Sequence, residues 1–380
     1  MQLDADKLRG RLEPLFKENF EKFGDIGAAL SVWQNGKAIV DLYGGFRDVR
    51  HEHSWTSDTA VLIWSATKGP AAASILHVLQ DHHIDLERRV AEFWPEFAGG
   101  GKEAITLAQL LSHQAGLAAL DANVDILEYR DVIHALEKQK PNWPPGTAHG
   151  YHPRTFGFLL DELVRRIAHT TLGEYWRATF GEPLGLDLWI GLPDTENSRV
   201  ATIHAPKADV KPMPPQFYKE VATRGTFAQK VFNSPRGLQA VSAMNKPEIR
   251  RESIVAFGGI GTAQSLAKFY AMLADAGRFE ARQFFSDKTI GWMTTTLTDG
   301  VDRVFQIPTA FSAGFMKDSK SSSRRVFGPS ATAFGHPGAG GSHGFADPKN
   351  KIGFAYAMNQ MEQSVFPGER AIRLVDAIYR

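Results

Sequence analysis

Ser65 and Lys68 stand three residues apart in the stretch Ile63-Trp64-Ser65-Ala66-Thr67-Lys68. On a helix that spacing puts both side chains on one face, so the lysine amine can reach the serine hydroxyl. A free hydroxyl attacks poorly. An amine that is desolvated, or crowded by a second cationic group, loses its proton near neutral pH and can act as the base that activates it. The start of a helix adds unpaired backbone N–H groups and a positive dipole end, both favourable to a developing oxyanion. The same residues also fit a plainer reading, a helix-capping serine with a solvated lysine behind it.

Other residues compete for chemical roles. Tyr151 follows the stiff turn Trp143-Pro144-Pro145-Gly146 and precedes a helical pattern, a position that suits a proton-transfer group if it faces Ser65, and otherwise a packed tyrosine with a hydrogen-bonded tip. Gly340-Gly341-Ser342-His343-Gly344 satisfies G-x-S-x-G, but that motif works where a strand turns sharply into a helix, and here strand patterns and a turn follow the serine. Ser112-His113 resembles half a triad and reads better as a polar helix end bonded to the loop beyond it. His51 and His53, and the pair His82-His83, lack partners at metal-ligand spacing and read as solvated positions.

The elements that must position these groups follow from periodicity. Leu8, Leu12, Leu15, Phe16, Phe20 and Phe23 predict an amphipathic helix over 4–23, kinked at Pro14. Apolar runs over 28–33 and 37–43 flank Asn35-Gly36, a hairpin signal. A strand-like run over 60–64 leads to Ser65, which is expected to open a helix over 71–80. Pro70 cannot donate to the Ala66 carbonyl, so a kink or loosening is expected one turn after Ser65. Residues 85–167 read as short helices, one of them ending at Gly116, with Pro153 in the first turn of another. Prolines 193, 206, 212, 214, 215 and 235 break 190–250 into loops around a pocket mouth, with Phe217, Phe227, Val231 and Phe232 wanting burial. A helix over 265–276, strands over 311–316, 333–338, 344–347 and 352–358, and a helix over 371–379 complete the chain. Strands at both ends with helices between them predict an α+β protein. One antiparallel sheet is built from residues 1–84 and 252–380 and flanked by helices, and a mainly helical insertion with pocket loops spans 85–251.

Composition narrows the function. The 380 residues are 43% hydrophobic, enough for a sizeable core. Lys plus Arg (43) nearly balances Asp plus Glu (42), so neither nucleic acid nor an anionic membrane is expected as a partner, and a small molecule is. With no cysteine there is no disulfide frame, thiolate nucleophile or thiolate zinc site. The charged N-terminus lacks a secretory core and no apolar run nears the ~20 residues of a membrane span, so a soluble cytoplasmic protein is expected.

Together these pieces resemble the serine hydrolases of the class C β-lactamase superfamily, which includes low-molecular-weight penicillin-binding proteins and family VIII carboxylesterases. Ser65-Ala66-Thr67-Lys68 resembles the family's S-x-x-K, Leu110 through Leu117 its L-L-S-H-x-x-G-L stretch, and Pro145-Gly146 through Tyr151 the segment leading to the tyrosine of Y-x-N. Gly258 through Ala263 and Phe334 through Gly338 resemble two landmarks of the sheet edge. The resemblance implies a β-lactamase-like fold, Ser65 as the acylated nucleophile and Lys68 with Tyr151 as its base pair. It also implies an oxyanion hole from the N–H groups of Ser65 and Ala339, and a substrate edge at His336 and Gly338. No metal and no cofactor are implied. Two departures matter: Tyr151-His152-Pro153 lacks the asparagine, and His336 replaces the lysine of K-T-G with a group mostly neutral at pH 7. Losing both weakens the hold on anionic β-lactams and leaves acylation untouched. The expected activity is therefore hydrolysis of small or apolar carboxylic esters of the family VIII type. A β-lactamase, D-amino-acid amidase or peptidase, or acyltransferase with the same machinery stays open, as does a non-catalytic sensor.

Overall fold

The computed structural model describes residues 1–207 and 215–380. The first helix, Ala5–Glu21, is capped by Asp4, whose carboxylate accepts the Lys7 N–H, and it carries Pro14 in its interior. Its buried Leu8, Leu12 and Phe16 pack against the closing helix Glu369–Ile378. Strands β1 (Gly27–Gln34) and β2 (Lys37–Gly45) form the expected hairpin, with Asn35 and Gly36 both left-handed (φ 50° and 72°) as a type I′ turn requires.

Strands β3 (Val61–Leu62), β4 (Leu188–Trp189) and β5 (Ile260–Gly261) make a small antiparallel sheet with β5 in the middle. β6 (Arg278–Phe279) and β7 (Arg282–Gln283) pair only with each other. The remaining strands are β8 (Thr298–Val301), β9 (Pro308–Phe311), β10 (Met316–Lys317), β11 (Phe334–Pro337), β12 (His343–Asp347) and β13 (Ile352–Met358). With the N-terminal hairpin they form an eight-stranded antiparallel sheet of order β2-β1-β13-β12-β11-β10-β9-β8. The two chain ends meet at β1 and β13, where Leu30 faces Tyr356 and Val32 faces Phe354.

Alternation along β13 divides the core. Phe354, Tyr356 and Met358 join the residues under the terminal helices, whereas Ala355 and Ala357 face the buried helix Ala263–Ala274 on the other side. Small residues on that face let the helix come close.

Several elements differ from expectation. The run over 60–64 yields only the two residues of β3, because Ile63 leaves the extended conformation (φ −98°, ψ 4°) to open the 3₁₀ turn that follows. The helix expected to reach Gly116 is Leu107–Leu111, since Ser112 caps it and His113 turns left-handed (φ 61°). Pro153 precedes the helix Thr155–Ala168 rather than lying in it. Residues 312–315 turn between β9 and β10, so 311–316 is not one strand. Among the described residues the proline-rich part holds three short α-helices, Pro215–Ala222, Phe227–Asn233 and Pro247–Arg250, and two 3₁₀ turns, Asp194–Arg199 and Val241–Asn245, with Phe217 and Val231 buried; Pro212 and Pro214 lie outside the described residues. Among the described residues no helix is long and apolar enough to cross a membrane.

A buried ion pair ties the closing helix to the start of β1. Arg370 donates to the Asp25 carboxylate and to the Gln360 carbonyl (2.9 Å), and Tyr356 also donates to Asp25. Burial nonetheless pushes Asp25 up to about 6, so its charge depends on the guanidinium beside it. Arg370→Met leaves that carboxylate buried and unpaired, and we expect a loss of about 3 kcal/mol or more in chemical denaturation. A loss below about 1 kcal/mol contradicts this role.

Candidate active site

Ser65 lies in a single 3₁₀ turn, Trp64–Thr67, and the α-helix Lys68–Asp81 starts immediately after it. The expectation that Ser65 opens the α-helix is corrected accordingly. Pro70 becomes the third residue of that helix, where an N–H has no intrahelical acceptor, so the missing donor costs nothing and no kink follows. Trp64 takes a φ of 49°, a strained conformation for a bulky aromatic residue directly before the serine.

The surroundings hold that strain. The Ile63 N–H donates to the Gly259 carbonyl (2.9 Å), and the Thr67 hydroxyl donates to the Trp64 carbonyl (2.5 Å) while accepting the Gly259 N–H (2.8 Å). A Cβ on Gly259 would stand 2.6 Å from the Thr67 hydroxyl, and one on Gly338 2.2 Å from the Ile63 carbonyl oxygen. Glycine at both positions lets β5 and the end of β11 close on the serine turn.

Lys68 is fully buried, and its Nζ lies 2.8 Å from the Ala256 carbonyl, 3.0 Å from the Pro153 carbonyl and 3.4 Å from Ser65 Oγ. Burial lowers its pKa well below the lysine range, and the nearby Arg154 guanidinium lowers it further. A neutral amine has two N–H bonds and one lone pair. Two carbonyls match the two donors, which leaves the lone pair for the Ser65 hydroxyl.

Tyr151 joins them from the other side of the cleft. Lys68 Nζ sits 4.9 Å from its ring centroid, and its phenol lies near the Ser65 hydroxyl. Burial pushes the phenol above its ordinary range, outweighing the lowering effect of the neighbouring Ser65 hydroxyl, so Tyr151 is a phenol and not a phenolate at neutral pH. His336 is buried with its ring 5.8 Å from that of Tyr151. Its Nδ1 donates to the Pro337 carbonyl (2.8 Å), which leaves Nε2 an acceptor without a partner among the described residues. Burial keeps this imidazole neutral. The backbone N–H groups of Ser65 and Ala339, which flank the seam between the serine turn and β11, have no backbone acceptor among the described residues.

Other candidates lie apart. Ser342 is fully buried, follows left-handed Gly340 and Gly341, and leads into β12, so no strand-to-helix elbow forms. Ser112 donates to the Ala108 carbonyl (2.6 Å) rather than to His113, whose Nδ1 accepts the His152 N–H (3.2 Å). His53 pairs with Asp48 in an exposed loop, and His82 and His83 are exposed past the end of the Lys68–Asp81 helix.

Sequence reasoning missed three contributors. Thr67 and Arg154 sit beside recognised motifs, so proximity was the only available signal. Asp302, whose buried carboxylate accepts the Tyr151 N–H (3.0 Å), carries no sequence signal.

A family model described as Beta-lactamase matches residues 16–377. The chain belongs to the beta-lactamase family. Within it, the chain is 30% identical over 347 residues to the esterase/beta-lactamase LipL of Mycobacterium tuberculosis, covering 90% of this chain and 78% of that one. A penicillin-binding protein homolog from Caulobacter crescentus superposes with a TM-score of 0.87 at 34% identity, over 100% of this chain and 98% of that one. A family VIII carboxylesterase superposes with a TM-score of 0.87 at 33% identity, over 100% and 99%. The fold is β-lactamase-like, and the protein is a hydrolase of the β-lactamase and esterase superfamily.

Keeping Lys68 neutral has a thermodynamic sign. Its folded pKa lies below the unfolded value, so the unfolded chain binds the extra proton and stability falls as pH drops from the unfolded lysine pKa, about 10.4, toward the folded one. Against Lys68→Met, which lacks the titration, the wild type should lose relative stability steadily as pH is lowered through that window, measured by denaturation at several pH values. A gap independent of pH contradicts the burial of a neutral amine.

Proposed function

We propose that the protein is a serine carboxylesterase that cleaves small or apolar esters through an acyl-Ser65 intermediate. The observation that carries this reading is the Lys68 amine, fully buried between two carbonyls with Ser65 Oγ at 3.4 Å. That arrangement supplies a base that needs no further activation.

In the first half-reaction Ser65 Oγ attacks the ester carbonyl while its proton passes to the Lys68 lone pair. The oxyanion accepts from the N–H groups of Ser65 and Ala339. Collapse breaks the C–O bond to the alcohol, whose oxygen takes a proton from the Tyr151 phenol, and Lys68 restores that proton to Tyr151. Water then attacks the acyl carbonyl, gives its proton to Lys68, and the tetrahedral adduct expels Ser65 Oγ, which recovers the proton. The raised pKa of Tyr151 favours this donor role over that of a base, and Lys68 serves as base in both halves.

The substrate class rests on charge and on aromatic surroundings. A neutral His336, offering a lone pair where a lysine would offer a cation, does not favour a carboxylate there. Phe305 stacks on Tyr151 with ring centroids 4.9 Å apart, and Phe217 and Phe366 pack on Phe305 at 5.3 and 4.8 Å. These buried rings back Tyr151 with an apolar environment that suits an apolar acyl or alkoxy group. The esterase names borne by LipL and the family VIII structure point the same way.

Treatment with a fluorophosphonate followed by peptide mapping should place the adduct on the peptide holding Ser65. Ser65→Ala should abolish p-nitrophenyl ester turnover with the fold intact, while Ser342→Ala keeps most of it. An adduct on Ser342, or turnover surviving Ser65→Ala, overturns the assignment.

A further inference from the structure

Tyr151 sits on a loop of the helical insertion, between the Trp143-Pro144-Pro145 turn and the helix Thr155–Ala168, and something must fix that loop to the sheet. One carboxylate anchors the Tyr151 backbone itself. Asp302 follows β8, is fully buried, and accepts the Tyr151 N–H at 3.2 Å on Oδ1 and 3.0 Å on Oδ2. The same carboxylate accepts the Val304 N–H (2.7 Å), the Phe305 N–H (2.9 Å) and the Thr309 hydroxyl (3.1 Å).

These bonds converge on one phenol. The Tyr151 backbone and the backbone of Phe305, whose ring lies 4.9 Å from the Tyr151 ring with planes 21° apart, hang from one carboxylate. The outer partner is also ordered. Because the Thr309 hydroxyl donates to Asp302, it accepts from His149 Nε2 (2.9 Å), and His149 Nδ1 accepts the Thr298 hydroxyl (2.8 Å). The Arg303 N–H closes the junction on the His149 carbonyl (3.0 Å). A chain Thr298, His149, Thr309, Asp302 thus runs from β8 and β9 to the Tyr151 backbone.

We propose that Asp302 is a positioning residue for the reaction. It sets the Tyr151 phenol against Ser65 by holding the Tyr151 and Phe305 backbones together, and it does not touch substrate. The inference rests on the acyl-Ser65 reading. A buried acceptor of four N–H or O–H donors could in principle serve stability alone, so the distinguishing property is that its effect on rate passes through the Tyr151 hydroxyl.

A double-mutant cycle reads that property. Asp302→Asn keeps the size but turns donors toward donors. In an otherwise wild-type chain it should lower kcat for a p-nitrophenyl ester by about tenfold or more, with KM within about twofold, because proton transfer and not binding is displaced. In a Tyr151→Phe chain, where no phenol is left to position, the same change should cost less than about twofold. Equal losses in both backgrounds, or unchanged kcat in the first, overturn the proposal and assign Asp302 to stability. If Asp302→Asn does not fold, Thr309→Val removes one donor from the carboxylate. It should then show a smaller kcat loss, about threefold, that likewise vanishes in Tyr151→Phe. A loss in both backgrounds, or none, overturns the proposal here too. The underlying reading fails separately: wild-type protein with no Ser65 adduct strikes the acyl-serine reading, and a Tyr151→Phe chain with full turnover removes the phenol's role and this inference with it.

Discussion

A lysine amine held away from water between two backbone carbonyls is the constraint on which the rest of this structure depends. Burying a charged ammonium there would cost far more than two neutral acceptors return, so the site selects the neutral form. The carbonyls come from distant parts of the chain: Pro153 precedes the helix Thr155–Ala168, and Ala256 precedes the Gly258-Gly259 turn that leads into β5. The amine therefore bridges the Tyr151 loop and the approach to the small sheet.

The serine turn is held by close backbone approaches. The small sheet grips Ile63 and Thr67 through Gly259, and the end of β11 is pressed on Ile63 through Gly338. Trp64 absorbs the resulting strain at φ 49°, in contact with Phe257 through rings 6.2 Å apart. The serine is thus presented by a 3₁₀ turn clamped on two sides, which limits its freedom before any substrate arrives.

Much of this was legible in sequence because it follows local rules. The Asn35-Gly36 hairpin, the amphipathic first helix and the strand alternation near the C-terminus appear where periodicity and turn chemistry put them. The grouping of Ser65, Lys68 and Tyr151 followed from spacing and from resemblance. What escaped depends on contacts distant in sequence. No pattern around Pro153 or Ala256 announces that their carbonyls will receive an amine. Asp302 stands in an ordinary polar stretch, yet it carries the junction with Tyr151, and its importance comes from one donor, the Tyr151 N–H 151 residues away in sequence, brought over it by the fold. The helix at Ser65 was misread for a related reason: propensity does not distinguish a clamped 3₁₀ turn from the first turn of an α-helix.

The most direct test of the account is the protonation state of Lys68 itself. In protein labelled with ¹⁵N-lysine, the Lys68 side-chain signal, assigned by its absence from Lys68→Met, can be followed by heteronuclear NMR across pH. The account predicts an amine already neutral at neutral pH, titrating far below the other lysines. A Lys68 signal that stays an ammonium until about pH 10, in the ordinary lysine range, would contradict it.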